Sequence, residues 1–309
     1  MADRPRRGGA PGGRSGARPP SSGRRGAASG GAAGGRRPPS GRRRRKQRSE
    51  LTGRIIVALP ALVVALIIVA RGGILFTAAL IVLGWICLDE LYRILGRAHP
   101  IRLAGFLGLV ALLLAAQYGS QVQILLVLVA VVPVAFGLAV VAPRGGTIGI
   151  ATMMLGVWWI GLALAHAVLL RKLPHGDGVV IDVLVGTFVG DTAAYLGGRA
   201  FGRRPLAPRI SPSKTLEGLV IGIVMAVLGV LFASFYQDWM HKGNALLLGL
   251  AVAVAAPVGD LFESYIKREA GTKDTGTLFG PHGGALDRLD AVLFAAVAGY
   301  YVWHAMVGG

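Results

Sequence analysis

Between Asp260 and Asp290 the sequence reads DLFESYIKREAGTKDTGTLFGPHGGALDRLD, a dense mixture of both charge signs in a chain that is 53% hydrophobic. Two apolar runs, 245–262 and 285–306, flank it, and each is long enough for a membrane helix. Charge at the mouth of membrane helices is expensive, so the cluster points to a site. If the first run continues as helix to about residue 268, Asp260, Ser264 and Lys267 share a face at i, i+4 and i+7. Asp287 and Asp290 share a face at the start of the last helix. Gly271, Gly276, Gly280, Gly283 and Gly284 make the connection a loop whose backbone can approach a ligand closely. Arg268, Lys273 and Arg288 carry positive charge suited to phosphate oxygens. Carboxylates from two helices over a Gly-rich basic loop describe a hard-cation site for a phosphate-bearing substrate, with Asp260 and Asp287 as its central pair.

A second group lies upstream. Asp191 sits late in an apolar run, with Thr187 and Tyr195 one turn to either side. A carboxylate at that depth must face protein, water or a cation, so a metal site and a buried hydrogen bond to Tyr195 are its two readings. Ser211-Pro212-Ser213-Lys214-Thr215-x-Glu217 places hydroxyls and a lysine at a helix start, where free N–H groups suit a phosphate. The alternative is a plain N-cap with Glu217 in the first turn, as in a capping box. Gly197 to Arg203 is only faintly P-loop-like: the Lys-Ser/Thr pair and the preceding strand are missing. Asp89 and Glu90, beside Tyr92 and Arg93, read as ordinary charges at a helix end.

Taken together, Ser264-x-x-Lys267-Arg268, Lys273-Asp274 and His282-Gly283-Gly284-x-x-Asp287-Arg288-x-Asp290 resemble the signature of the phosphatidate cytidylyltransferases, or CDP-diacylglycerol synthases. Asp191-x-x-x-Tyr195 with Ser211 to Gly218 is similar to that family's upstream motif. Ala285 stands where a larger aliphatic residue is expected, and Leu216 where an aromatic is common. The likeness is motif-specific from about residue 185 to 295, rests on hydropathy alone from 50 to 185, and is absent before that.

The resemblance implies conversion of CTP and phosphatidate to CDP-diacylglycerol and pyrophosphate, a step of phospholipid biosynthesis. It implies Mg²⁺, with room for a second, monovalent cation, and Asp260, Asp287 and Asp191 as metal ligands. Lys273, Arg288 and His282 join Asp260 and Asp287 at the reaction centre. A phosphate monoester, with a second pKa of about 6, is already largely an anion at neutral pH. His282 is therefore better cast as a contact to phosphate or metal-bound water than as a proton acceptor. Ser211, Ser213, Lys214, Thr215, Ser264, Lys267, Arg268, Asp274, Gly283 and Gly284 are the implied substrate-binding residues. A homodimer is left open.

The elements that must position these residues are apolar runs at roughly 54–70, 74–92, 101–118, 122–142, 148–170, 178–197, 218–236, 245–262 and 285–306. Mean hydropathy is +0.60. The runs are too long and too apolar for barrel strands, and no internal repeat is evident. The fold class expected is an all-α polytopic membrane protein, a bundle of about nine transmembrane helices with a disordered basic N-terminal tail. Arg71-Gly72-Gly73 is expected to be a tight helical hairpin. The single cysteine, Cys87, excludes an intramolecular disulfide, and nothing suggests a thiolate metal site.

Residues 1–50 hold 15 of the 33 basic residues and 2 of the 15 acidic ones, so most of the net +18 belongs to this segment. Its Gly, Pro, Ser, Ala and Arg cannot bury enough apolar surface to offset chain entropy, and a disordered arm is expected. The domains are thus 1–50, a cytoplasmic tail, and 51–309, the transmembrane catalytic domain. The tail reads as a solvated arm whose basic end fixes membrane orientation. Contact with anionic lipid headgroups or RNA is the alternative, and no specific nucleic acid is expected. With the tail inside, fourteen further Lys and Arg residues flank the inner ends of the runs, among them Arg93, Arg102, Arg199, Lys214 and Lys273. Only Arg71, Arg171, Lys172 and Lys242 flank the outer ends. This bias places both motif loops, 198–217 and 263–286, on the cytoplasmic side, and the expected location is the plasma membrane, as a multi-pass chain.

A CTP-dependent lipid kinase would use similar loops but release CDP rather than pyrophosphate. A CDP-alcohol phosphotransferase fails on its motif, because Asp177-Gly178 is followed by Val179-Val180. A channel or lipid scaffold without turnover is the rival from outside enzymology, and the carboxylate-rich loop argues against it.

Overall fold

A computed structural model of the chain describes residues 63–141, 145–276 and 283–308. The expected tail, Arg54, Arg144 and His282 lie outside the described residues.

The described residues form helices almost throughout, as apolar segments must where the solvent cannot bond to a backbone. In chain order they are α1 (63–71), α2 (Gly73–Ile94), α3 (Arg102–Tyr118), α4 (Gln121–Val141), α5 (Gly146–Gly156) and α6 (Leu162–Lys172). Then come α7 (Gly176–Phe201), α8 (Leu216–Ala233), α9 (Lys242–Glu269) and α10 (Leu286–Val307). A π-helical turn, Val157–Gly161, joins α5 to α6, so that Gly146–Lys172 is one continuous span. Among the described residues seven helices are long and apolar enough to cross a membrane, and the 17-residue α3 falls just short. Seven of the nine apolar runs are therefore accounted for in full, the fourth up to residue 141 and the first from residue 63 onward. Gly72 and Gly73 take φ of 61° and 56°, a left-handed conformation open to glycine, and break the helix between α1 and α2.

The connection before α8 departs from the all-helical expectation. Pro205–Ala207 (β1) pairs antiparallel with Ser211–Thr215 (β2), with Pro205 opposite Thr215 and Ala207 opposite Ser211. Thr215 then caps α8, its hydroxyl accepting from the Gly218 amide at 3.1 Å. Glu217 does not complete a capping box. Its Oε2 accepts from the Arg203 and Arg204 amides at 3.0 and 3.2 Å and so holds the hairpin's entrance.

Small residues let the motif helices close on one another. A Cβ on Gly218 would lie 2.6 Å from the Ala194 carbonyl oxygen, and one on Gly222 2.8 Å from the Ala194 Cβ. Gly259 allows the same between α9 and α10, where a Cβ would strike the Asp290 carbonyl. Away from the motif loops, cations cap helix ends. Arg171 donates to the Val69 carbonyl at 2.6 Å, Lys172 to Ala116 at 2.9 Å and Lys242 to Ser234 at 2.6 Å.

Candidate active site

The C-terminal ends of α7 and α9, the N-terminal ends of α8 and α10 and the β-hairpin gather at one end of the helices. There Asp191 of α7, Ser213, Lys214 and Thr215 of β2 and Asp260 of α9 line a cavity of about 490 Å³, with Tyr195 and Arg199 beside them. Lys214 is ion-paired with Asp260. Two stretches separated by some forty residues in the chain thereby line one cavity.

Behind Asp260 lies a group of three carboxylates. Asp260, Glu263 and Asp290 each offer an oxygen, and these atoms all lie within 4.8 Å of one another. Glu263 is 1% exposed and Asp290 8%. Glu263 Oε1 is buried without a hydrogen-bond donor among the described residues. Its Oε2 accepts from Lys267 Nζ at 2.6 Å, and the same ammonium reaches Asp287 Oδ1 at 2.8 Å. Asp287 Oδ2 also accepts from the Gly284 amide at 2.6 Å and the Thr275 amide at 3.0 Å.

This geometry redistributes the roles read from spacing. Asp287 shares Lys267 and backbone amides and adjoins the three-carboxylate group, whereas Asp290 belongs to it. Ser264 is half-buried, while Glu263 next to it meets Lys267. Arg268 donates from Nε to the Ile210 carbonyl at 3.0 Å, tying the tip of the β-hairpin to α9. Gly283 is buried with φ 83°, and a Cβ there would lie 2.5 Å from Asp287 Oδ2. Gly284 is buried against Glu90. Lys273, Asp274 and Arg288 are exposed on the same side, and Ser211 opens β2.

Two residues were missed in the motif reading. Glu263 carries a legible signal, three residues after Asp260 and four before Lys267 on one helix face. Glu90 carries almost none. Its neighbour Asp89 behaves as an interfacial charge, paired with Arg93 at 2.5 Å and Arg102 at 3.1 Å. Glu90 instead turns inward at 1% exposure and accepts from the Ala285 and Leu286 amides at 3.0 and 2.9 Å.

Comparison with known proteins shows the family. A model described as the cytidylyltransferase family matches residues 52–306. A phosphatidate cytidylyltransferase of Bacillus subtilis is 32% identical over 265 residues, which cover 82% of this chain and 97% of that protein. A phosphatidate cytidylyltransferase of Helicobacter pylori is 44% identical over 126 residues, 40% of this chain and 46% of its own. An uncharacterized protein of Escherichia coli K12, YnbB, is 39% identical over 144 residues, 45% of this chain and 48% of its own. The chain thus spans about half the length of several relatives it matches, and nearly all of the Bacillus protein.

Proposed function

Because the chain belongs to the cytidylyltransferase family, we propose that it transfers the cytidylyl group of CTP to phosphatidate, releasing pyrophosphate and forming CDP-diacylglycerol. One observation carries the reading. A cavity lined by Asp191, Lys214 and Asp260 abuts the buried carboxylates Glu263 and Asp290 at the end of a membrane bundle. A headgroup and a triphosphate can meet there while acyl chains stay in lipid.

The residues fit a divalent cation. Three carboxylates within 4.8 Å of one another, one with an oxygen that has no donor among the described residues, are hard oxygen ligands whose mutual repulsion a cation removes. Asp260, Glu263 and Asp290 would hold Mg²⁺, with Asp191 across the cavity. When bound, such an ion supplies positive charge against phosphate oxygens.

The protein's own groups do the rest. Lys214 and Arg199 line the cavity, and Lys273 and Arg288 are exposed in the segments around α9 and α10, so that cations are at hand for the triphosphate and the lipid phosphate. A triphosphate offers Lys214 a stronger anion than Asp260 does and frees that carboxylate. A phosphate oxygen of phosphatidate attacks the α-phosphorus of CTP, the bond from that phosphorus to the bridging oxygen breaks, and pyrophosphate departs. The nucleophile, with a second pKa of about 6, is already largely an anion at neutral pH, so no general base is required. Lys267 balances part of the negative charge of Glu263 and Asp287. The reading places this end of the bundle, with the preceding basic tail, at the cytoplasmic face of the plasma membrane, where CTP is found.

Purified protein given CTP, phosphatidate and Mg²⁺, with each omitted in turn, tests the proposal. Pyrophosphate and CDP-diacylglycerol should appear only with all three. Release of CDP would point to a kinase, and no turnover to a scaffold.

A further inference from the structure

We propose that Glu90, on a helix that carries none of the motif residues, is a positioning residue for the active site: it clasps the segments on both sides of 277–282 and so sets the geometry of Asp287.

Glu90 lies in the last two turns of α2 and is 1% exposed. A buried carboxylate must be compensated, and Glu90 finds its partners in one place. Oε1 accepts from the Ala285 amide at 3.0 Å; Oε2 accepts from the Leu286 amide at 2.9 Å and the Thr275 hydroxyl at 3.3 Å. The two amides are among those left unbonded at the start of α10, where the helix dipole also favours negative charge. Steric fit agrees with the hydrogen bonding. A Cβ on Gly276 or Gly284 would collide with Glu90 oxygens, so both chain segments press their bare Cα faces against this one side chain.

The same two segments hold Asp287. Thr275 gives its hydroxyl to Glu90 and its amide to Asp287; Gly284 packs on Glu90 and gives its amide to Asp287. Asp287 in turn fixes Lys267, and Lys267 fixes Glu263 in the three-carboxylate group. A continuous chain of contacts therefore runs from α2 to the proposed cation site. Glu90 touches no part of the cavity, so its action is through the residues it orients. Supporting contacts of this kind typically contribute 10–100-fold to affinity or rate at a metal site.

The kinetic part of the test rests on the function proposed above; the structural part does not. In purified full-length protein, Glu90→Gln keeps the shape and one acceptor oxygen, and Glu90→Ala removes both. Turnover should fall about 10-fold or more for Glu90→Gln and further for Glu90→Ala, with KM for CTP little changed and the Mg²⁺ concentration for half-maximal rate raised. Hydrogen exchange at Ala285 and Leu286 should accelerate in both variants. Gly284→Ala should lower the melting temperature in the parent and cost little more in the Glu90→Ala background, where the new methyl group has room. Unchanged exchange at Ala285 and Leu286, or an equal cost of Gly284→Ala in both backgrounds, would overturn the clasp. Normal turnover and Mg²⁺ dependence in Glu90→Gln would overturn its positioning role. If the parent lacks cytidylyl transfer, the proposed function fails while exchange and the melting cycle still decide the clasp.

Discussion

Lys267 in the last turns of α9 and Asp287 in the first turn of α10 meet at 2.8 Å across the segment that separates them in the chain. The contact joins two helices that between them bring three carboxylates together, Asp260 and Glu263 on one and Asp290 on the other. One ammonium thus serves two carboxylates and leaves three carboxylate oxygens to share a single space.

Removing that ammonium should be costly to the fold as well as to activity. Lys267 is 14% exposed in its side chain, and its partners Glu263 and Asp287 are 1% and 10% exposed. Breaking a buried pair leaves an uncompensated charge and typically costs about 3–5 kcal/mol. Lys267→Met should therefore lower thermal stability in detergent markedly, and adding Glu263→Gln should recover part of the loss. Equal melting temperatures for Lys267→Met and the parent would show that the pair is not strained by burial.

Much of this was legible in the residues, and the limits are physical. Asp191, Lys214 and Asp260 announce themselves because ionisable groups beside apolar runs are rare, and the structure brings all three to one cavity. The division of labour between Asp287 and Asp290 is not legible, since it depends on how α10 is rotated against α9, and Gly259 sets that approach. The hairpin at 205–215 is too short for alternation to register, and its tip is held by Arg268 from another helix. Glu90 is hidden most deeply. Nothing local distinguishes it from Asp89, and its partners lie 195 and 196 residues away.

The basic tail should be dispensable for chemistry, because its composition builds no packed site and the motifs lie well over a hundred residues away. Deleting residues 2–40 should leave turnover in detergent within a few-fold, measured by pyrophosphate release at saturating substrates. Arg42 to Arg48 are retained in this variant so that orientation is preserved. A large loss with normal membrane insertion would assign the tail a direct part.

The proposed orientation can be read from thiol labelling. Ala207 in β1 and Thr272 after α9 lie at the active-site end, and exposed Asp238 lies between α8 and α9 at the opposite end. Each is replaced singly by cysteine in a Cys87→Ser background. A membrane-impermeant reagent should label position 238 in intact cells and positions 207 and 272 only in inverted vesicles. The reverse pattern would turn the site outward, away from CTP.

Asp290 gives the sharpest test of the carboxylate group. From spacing alone it would serve as a support one turn beyond Asp287, and its replacement would be the milder. The structure places it with Asp260 and Glu263, 8% exposed, and places Asp287 beside them in the grip of Lys267 and two amides. Asp→Asn preserves volume and removes charge, so it tests cation binding with little change in packing. Asp260→Asn and Asp290→Asn should each lower turnover about a hundredfold, close to 3 kcal/mol of transition-state stabilisation, and raised Mg²⁺ should restore part of it. Asp287→Asn should also lose activity, but raised Mg²⁺ should restore little, because its loss disturbs Lys267 and the amides of Thr275 and Gly284. Turnover against Mg²⁺ concentration for the three variants separates the roles. If Asp290→Asn matched the parent at low Mg²⁺ while Asp287→Asn responded to added ion, the cation would belong with Asp287 instead.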